Sequence, residues 1–345
     1  MNNNDRDSRY QALADAAAAQ GLAPLWTIYH DVMSCEPEPA CAPSIWKYSV
    51  IRPLLARAGE EISIADAERR VLLLHNPGLG GPFATHMVGC GFQLLLPGEV
   101  ESSHRHTPTA LRMIIEGNGA YTTVAGERIW MHPGDVISTP SWSWHDHGAM
   151  GEKETIWLDG IDLPVVNFMN LNFTEYTSVG QKQELEVADG DSHWRYGSGM
   201  LPDTRPDRAS RHSPIFGYPY RQTRPALAGM ASSGEQDIWN GARLWCSNPY
   251  DGGHFTPTLA ASMQLFPAGF ETRPYRCTDA AVFHVIEGKG QVEIGSTTFD
   301  FEQGDTFVIP NWTDRRFLAS SECVLFSFSD RAMQERLCLW RERRG

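Results

Sequence analysis

The chain has 345 residues, with 42 acidic against 29 basic side chains and a formal net charge of −13 at pH 7. Its basic residues are scattered rather than striped, so a nucleic-acid footprint is excluded and a small molecule is the expected partner. Seven cysteines form no Cys-x-x-Cys pair, and no apolar run approaches the roughly 20 residues of a spanning helix, which argues against a secreted disulfide framework and against a membrane partner. The first residues lack a basic-then-apolar leader, so a soluble, cytoplasmic protein is expected.

In chain order, the alanine-rich stretch 7–20 predicts a helix stopped at Gly21, and 45–58 predicts a second ending at Gly59. Ser63 and Asp66 form a capping-box pattern for a short helix leading towards Val71. These pieces make an N-terminal helical arm, 1–84, outside any sheet. From Thr85 the pattern changes to strand-like runs punctuated by Gly and Pro, with strands expected over 86–96, 110–116, 120–124, 127–131, 136–139 and 155–162. They define a β unit, 85–171. Residues 172–240 are polar and weakly periodic, and so long a connector is expected to wrap a neighbour or cover a site. A second β unit, 241–345, holds strands from 259 to 329 and is expected to close with a basic-ended helix over 331–343.

His104 and His106, two apart on a strand, project from one face, and His145 from a later strand can join them to cap one face of a metal ion. With twelve histidines in the chain, roughly 0.4 His-x-His pairs arise by chance, so the pair alone is weak. The spacing strengthens it. Gly98 lies six residues before His104, Glu116-Gly117-Asn118-Gly119 follows at hairpin spacing, and Gly134 and Pro140 precede His145. This grammar resembles the cupin family, which implies a small antiparallel barrel. Where many cupins carry a metal-binding Glu, seven before Gly117, this chain has Ala110, so the ion would be held by three neutral imidazoles.

The pattern occurs twice. Glu116-Gly117-Asn118-Gly119 matches Glu287-Gly288-Lys289-Gly290, and Gly134, Asp135, Pro140 and Trp142 match Gly304, Asp305, Pro310 and Trp312. The expected fold is mainly β, a bicupin of two small antiparallel barrels with an N-terminal helical arm. In the second copy Tyr275, Cys277 and Arg315 replace the histidines, and an arginine cannot deprotonate to bind a metal, so this barrel reads as a structural or oligomerising half. A second metal site using Cys277 and His284 is the weaker alternative.

Three neutral ligands leave a divalent ion its full charge, which favours a ligand with two anionic oxygens, such as an ortho-hydroxybenzoate. Dioxygen at a remaining position requires a redox-active metal, so Fe(II) is expected. Arg112 is placed to clamp a carboxylate, against the alternative of an exposed arginine at the barrel mouth. His147 shares the face of His145 and can meet the substrate's phenolate. Asp159 reads as a group that orients a histidine or as a turn residue, and Gln93 as a buried amide in need of a polar partner.

At this resolution of detail the resemblance narrows. His104-Arg105-His106-Thr107-Pro108-Thr109-Ala110-Leu111-Arg112, Thr139-Pro140-Ser141-Trp142-Ser143-Trp144-His145-Asp146-His147-Gly148 and Trp157-Leu158-Asp159-Gly160 resemble the gentisate 1,2-dioxygenase family, and the likeness extends to Leu22, Ala23, Pro24, Leu25 and Trp26 and to Ala67, Glu68, Arg69, Arg70 and Val71. That family includes salicylate, 5-nitrosalicylate and 1-hydroxy-2-naphthoate dioxygenases. The resemblance implies a homotetrameric enzyme that holds Fe(II) at His104, His106 and His145 and inserts both oxygens of O2, opening the ring between the carboxyl-bearing and hydroxyl-bearing carbons. It assigns Arg112, Gln93 and His147 to the substrate, with Asp159 in support, and brings Arg69 or Arg70 to the pocket. It also implies that a neighbouring subunit's arm closes the site, which gives Trp46 a role. Gly89 and Gly91 share the face of Gln93, where gentisate-type members tend to have larger side chains. This predicts room for a bulky 5-substituent, as in 5-nitrosalicylate, beside or instead of gentisate. The alternatives are filled space at the two glycines and a gentisate-specific enzyme or, more remotely, a non-catalytic ligand-binding bicupin.

Overall fold

The computed structural model describes residues 3–67, 69–178, 180–203 and 211–345. Residue Glu68 of the quoted motif, and 179 and 204–210 of the expected connector, lie outside the described residues. The chain divides into two units, 1–38 and 39–345. The first contains the helices Asn3–Ala18 and Leu25–Val32. The expected helix over 7–20 therefore begins and ends earlier.

The second unit contains four antiparallel sheets, paired as two barrels. In the first barrel a six-stranded sheet runs in the order Gly217–Tyr218, Val136–Thr139, Ala110–Glu116, Thr155–Ile161, Gly89–Leu95, Arg70–Leu73. Its five-stranded partner runs Thr174–Tyr176, Val100–His106, His145–Ala149, Ala120–Val124, Glu127–Trp130. The second barrel repeats this plan. Its sheets run Ser44–Trp46, Thr306–Ile309, Ala281–Glu287, Cys323–Ser329, Ala260–Phe266, Ala242–Trp245, and Thr297–Glu302, Lys289–Ile294, Arg315–Ala319, Tyr275–Cys277, Glu342–Arg344.

The central strands Gly89–Leu95 and Ala260–Phe266 are buried at every position. One face of each points into its own barrel and the other towards the opposite barrel, so both are mostly apolar without a solvent-facing alternation, each broken by one buried glutamine, Gln93 and Gln264. A single core cluster accordingly unites Phe92, Leu94 and Leu158 of the first barrel with Met263, Leu265 and Phe326 of the second. The interiors differ. That of the second barrel packs Phe266, Phe283, Phe301, Phe307 and Phe317 beside its buried Gln264, His284 and Arg315, whereas the first buries Gln93, Arg112 and three histidines.

Several segments differ from the sequence expectations. Residues 45–58 do not form one helix: Ser44–Trp46 is a strand and Tyr48–Glu61 the helix. Arg70–Leu73, assigned to the arm, is an edge strand of the first barrel, paired with Gly89–Leu95. The C-terminal helix stops at Arg336, and Glu342–Arg344 forms a strand against Tyr275–Cys277. Within the connector, Thr174–Tyr176 pairs with the strand that carries His104 and His106.

The duplication extends beyond the barrels into helices that cross between them. Tyr48 starts the helix Tyr48–Glu61, and its N–H donates to Asp305 Oδ1 of the second barrel at 3.0 Å while its hydroxyl donates to Glu116 Oε1 of the first at 2.6 Å. Tyr220 starts the helix Tyr220–Ser233 and mirrors this, with its N–H on Asp135 Oδ1 at 2.8 Å and its hydroxyl on Glu287 Oε1 at 2.5 Å. Arg52 and Arg224, each four residues on, repeat the ion pair at 3.0 Å from Nε to Glu116 and Glu287. Each tyrosine ring lies on a left-handed glycine, Gly304 under Tyr48 and Gly134 under Tyr220, where a Cβ would approach the ring to 2.7 and 2.5 Å. Only glycine admits both that backbone angle and that contact.

Candidate metal centre

His104 and His106 project from the strand Val100–His106, and His145 opens the strand His145–Ala149, standing opposite His104 in the register. One ring nitrogen of each lies within 4.8 Å of the other two. Which nitrogen is set by the backbone: Nδ1 lies 3.1 Å from Ser102 O in His104, 2.7 Å from Pro108 O in His106 and 3.0 Å from Ser143 O in His145. A carbonyl only accepts, so Nδ1 carries the proton in all three and Nε2 carries the lone pair that can bind a metal, the one on His104 being met here by Arg69 Nη2 at 2.7 Å. His145 Nε2 is buried with no hydrogen-bond partner among the described residues, as expected of a ligand atom. Burial, reinforced by Arg69, pushes His104 down to about 2, and burial pushes His106 down to about 4 and His145 well below the usual histidine range. The three are therefore neutral imidazoles, the protonation state that binds a divalent ion.

Arg112 is buried on the neighbouring sheet. Its Nη1 donates to Thr139 Oγ1 at 2.6 Å, and its Nε lies 3.4 Å from Asp159 Oδ1, directly opposite in the register. Asp159 thus stands beside the arginine rather than beside a histidine. His147 is fully buried on the face of His145, with Nδ1 2.8 Å from Thr122 Oγ1 and its ring 5.5 Å from that of Trp157. Gln93 donates to Glu101 Oε1. Arg69 reaches the site from just before the edge strand, its Nη2 2.7 Å from His104 Nε2 and its Nε 3.6 Å from Glu101 Oε2.

Other sequence-selected residues lie elsewhere. Arg70 points to the opposite face and is tied to both oxygens of Glu99, at 2.6 and 2.7 Å. Trp46 belongs to the sheet of the other barrel, opposite Thr306. The space expected at Gly89 and Gly91 is taken: a Cβ at Gly91 would meet Val71 Cγ1 at 2.8 Å and Leu72 O at 3.0 Å, and one at Gly89 would meet Ile161 Cγ2 at 3.0 Å.

Two residues at the site escaped sequence reasoning. Tyr176, at the end of Thr174–Tyr176, stacks on His104 at 6.1 Å between ring centroids. Glu101 is wholly buried between Gln93 and Arg69, and burial raises its carboxyl to about 7. Strict alternation sends residue 101 to the face opposite 104 and 106, but the register shifts between Glu101 and His104 and turns it inward.

Residues 91–161 match the cupin domain family. Over its length the chain is 45% identical to gentisate 1,2 dioxygenase 1 of Aquipseudomonas alcaligenes, covering 94% of this chain and 93% of the relative. It is 32% identical to the 5-aminosalicylate 1,2-dioxygenase of a Comamonas species, covering 96% and 89%. Among solved structures, the salicylate 1,2-dioxygenase of Pseudoaminobacter salicylatoxidans with gentisate superposes with a TM-score of 0.86 at 31% identity, covering 98% and 94%. Likeness on this scale, through both barrels, places the chain in the gentisate 1,2-dioxygenase family of ring-cleaving dioxygenases.

Proposed function

We propose that this chain opens the ring of a 5-substituted 2-hydroxybenzoate, gentisate foremost, between the carboxyl-bearing and hydroxyl-bearing carbons, with O2 as co-substrate and Fe(II) as the metal at His104, His106 and His145. The observation that carries the reading is that three imidazoles with fixed tautomers on one sheet and a buried guanidinium on the other line the same barrel interior. The donor set fits a divalent metal, and zinc, which also accepts such ligands, passes no electrons. Bound there, ferrous iron would supply the redox centre through which the aromatic acid and dioxygen exchange electrons. Arg112 holds the substrate carboxylate, with Thr139 and Asp159 fixing its orientation. His147, steadied by Thr122, presents its other nitrogen to the substrate's hydroxyl and takes its proton on binding. Glu101 steadies Gln93 and Arg69 along the same wall. Both oxygen atoms enter the product, one at each carbon of the broken bond.

Gentisate and 5-aminosalicylate, named in two of the relatives, both carry an electron-donating 5-substituent. A bulky nitro or halogen group finds no open space at Gly89 or Gly91, which weakens the wider-pocket expectation. The assembly is read as a cytoplasmic homotetramer, which light scattering tests. The decisive measurement is oxygen uptake by the iron-loaded protein on gentisate, salicylate and 5-nitrosalicylate, with kcat/KM highest for gentisate. Binding of these acids without oxygen consumption would instead favour a non-catalytic bicupin. His106→Ala should lose both iron and ring opening, and retention of both would refute the assignment.

A further inference from the structure

The second barrel keeps the frame of the metal centre and reverses its charge. Tyr275 stands opposite Arg315 as His104 stands opposite His145. Arg315 is only 5% exposed; its Nη2 donates to Asn240 Oδ1 at 3.0 Å, and its Nε is buried with no hydrogen-bond partner among the described residues. Arg243, on the edge strand, and Arg331, at the start of the helix Arg331–Arg336, flank the ring of Trp245 at 4.7 and 5.0 Å from its centroid. All three arginines line one cavity of about 20 Å³ inside the barrel.

Two carboxylates stand near them. Asp279, on the cavity wall, accepts from Ser329 Oγ at 2.6 Å and Trp340 Nε1 at 2.8 Å. Glu335 pairs with Arg331 at 2.7 Å. Among the described residues neither Arg243 nor Arg315 has a carboxylate within ion-pair distance. Burial, then the like charges of Arg315 and Arg331, lower Arg243 to about 10. Asp279 and Glu335 set two negative charges against the three guanidiniums, and the one positive charge left in excess in a buried space is strongly unfavourable without a counter-ion.

We propose that the second barrel is an anion site, in which one monovalent inorganic ion of about chloride's size sits among Arg243, Arg315 and Arg331, at the position where the first barrel places its metal ligands. The cavity volume admits one water-sized particle and excludes an aromatic acid. The two barrels then use one fold for opposite charges, with imidazoles for a cation and guanidiniums for an anion. Such an ion neutralises the wall and stabilises the half that carries no chemistry.

The test uses the full-length, iron-loaded enzyme in sodium chloride, sodium bromide, sodium sulfate or sodium gluconate at equal ionic strength, about 0.1 M. Chloride and bromide should raise the unfolding midpoint by about 2–4 °C over gluconate and sulfate. Arg243→Gln, on the edge strand, should lose that difference while keeping wild-type ring opening in gluconate. Arg315→Gln should behave likewise; if it does not fold, Arg243→Gln and bromide-soaked crystals carry the comparison. Anomalous bromide signal among the three arginines is the expected result. Equal midpoints in all four salts, the same halide effect in wild type and Arg243→Gln, or bromide absent from this cavity would overturn the proposal.

Discussion

Asp159→Asn should make the metal-free protein more stable at alkaline pH while weakening the enzyme. Asp159 lies beside Arg112, with Oδ1 3.4 Å from Nε, and burial, only partly offset by that arginine, raises its carboxyl from 3.8 to about 6. An acid whose pKa is higher folded than unfolded costs stability as pH rises: nothing below its unfolded value near 3.8, and the full amount above its folded value near 6. That rise corresponds to about 3 kcal/mol. The asparagine amide is of similar size and uncharged at every pH, so the variant should exceed wild type by about 1–3 kcal/mol at roughly pH 8 and match it at roughly pH 4. Urea unfolding of chelator-treated protein at the two pH values measures the difference. Metal loading should narrow it, because a nearby dication favours the ionised carboxyl. With iron bound, kcat/KM should fall about tenfold as Arg112 loses its charged neighbour. A variant no more stable than wild type at the higher pH would show that the ion pair outweighs the burial penalty, and the reasoning would fail.

Arg112→Lys keeps the charge but loses the two-pronged geometry, and steady-state kinetics on gentisate should show kcat/KM lower by about 100-fold. Tyr48→Phe and Tyr220→Phe each remove a hydroxyl-to-carboxylate bond between the barrels, and each should cost about 1.5–3 kcal/mol in chemical unfolding, by similar amounts. Gly91→Ala presses a methyl to 2.8 Å from Val71 Cγ1 and 3.0 Å from a backbone oxygen, so a loss of about 1–3 kcal/mol is expected. A Gly91→Ala protein of unchanged stability and altered substrate preference would show instead that this position faces the ligand.

The triad was legible because its signal is local. A His-x-His pair needs only strand alternation to share a face, and the Gly and Pro spacing around it marks the turns that return His145 to the same sheet. The strands Ala110–Glu116, Ala120–Val124 and Val136–Thr139 follow from the same punctuation, with the bounds the sequence predicted. Glu101 was hidden because one bulge reverses the parity on which such reasoning depends. Arg69 and Arg70 are neighbours in a motif, yet only register decides that Arg69 meets His104 while Arg70 binds Glu99. The crossing helices did leave a trace, Tyr48, Arg52 and Pro53 against Tyr220, Arg224 and Pro225, but at a distance from the barrels that concealed its purpose.

By itself, the order of residues determined the duplicated β plan, the three imidazoles and the loss of their counterparts from the second copy, because each rests on strand alternation, turn punctuation or residue chemistry alone. Tertiary structure decided which charges surround those imidazoles, what fills the space at Gly89 and Gly91, and that each crossing helix is capped by a carboxylate of one barrel and bonded to a carboxylate of the other. Those outcomes depend on segments far apart in the chain, brought together by a core that the two barrels share.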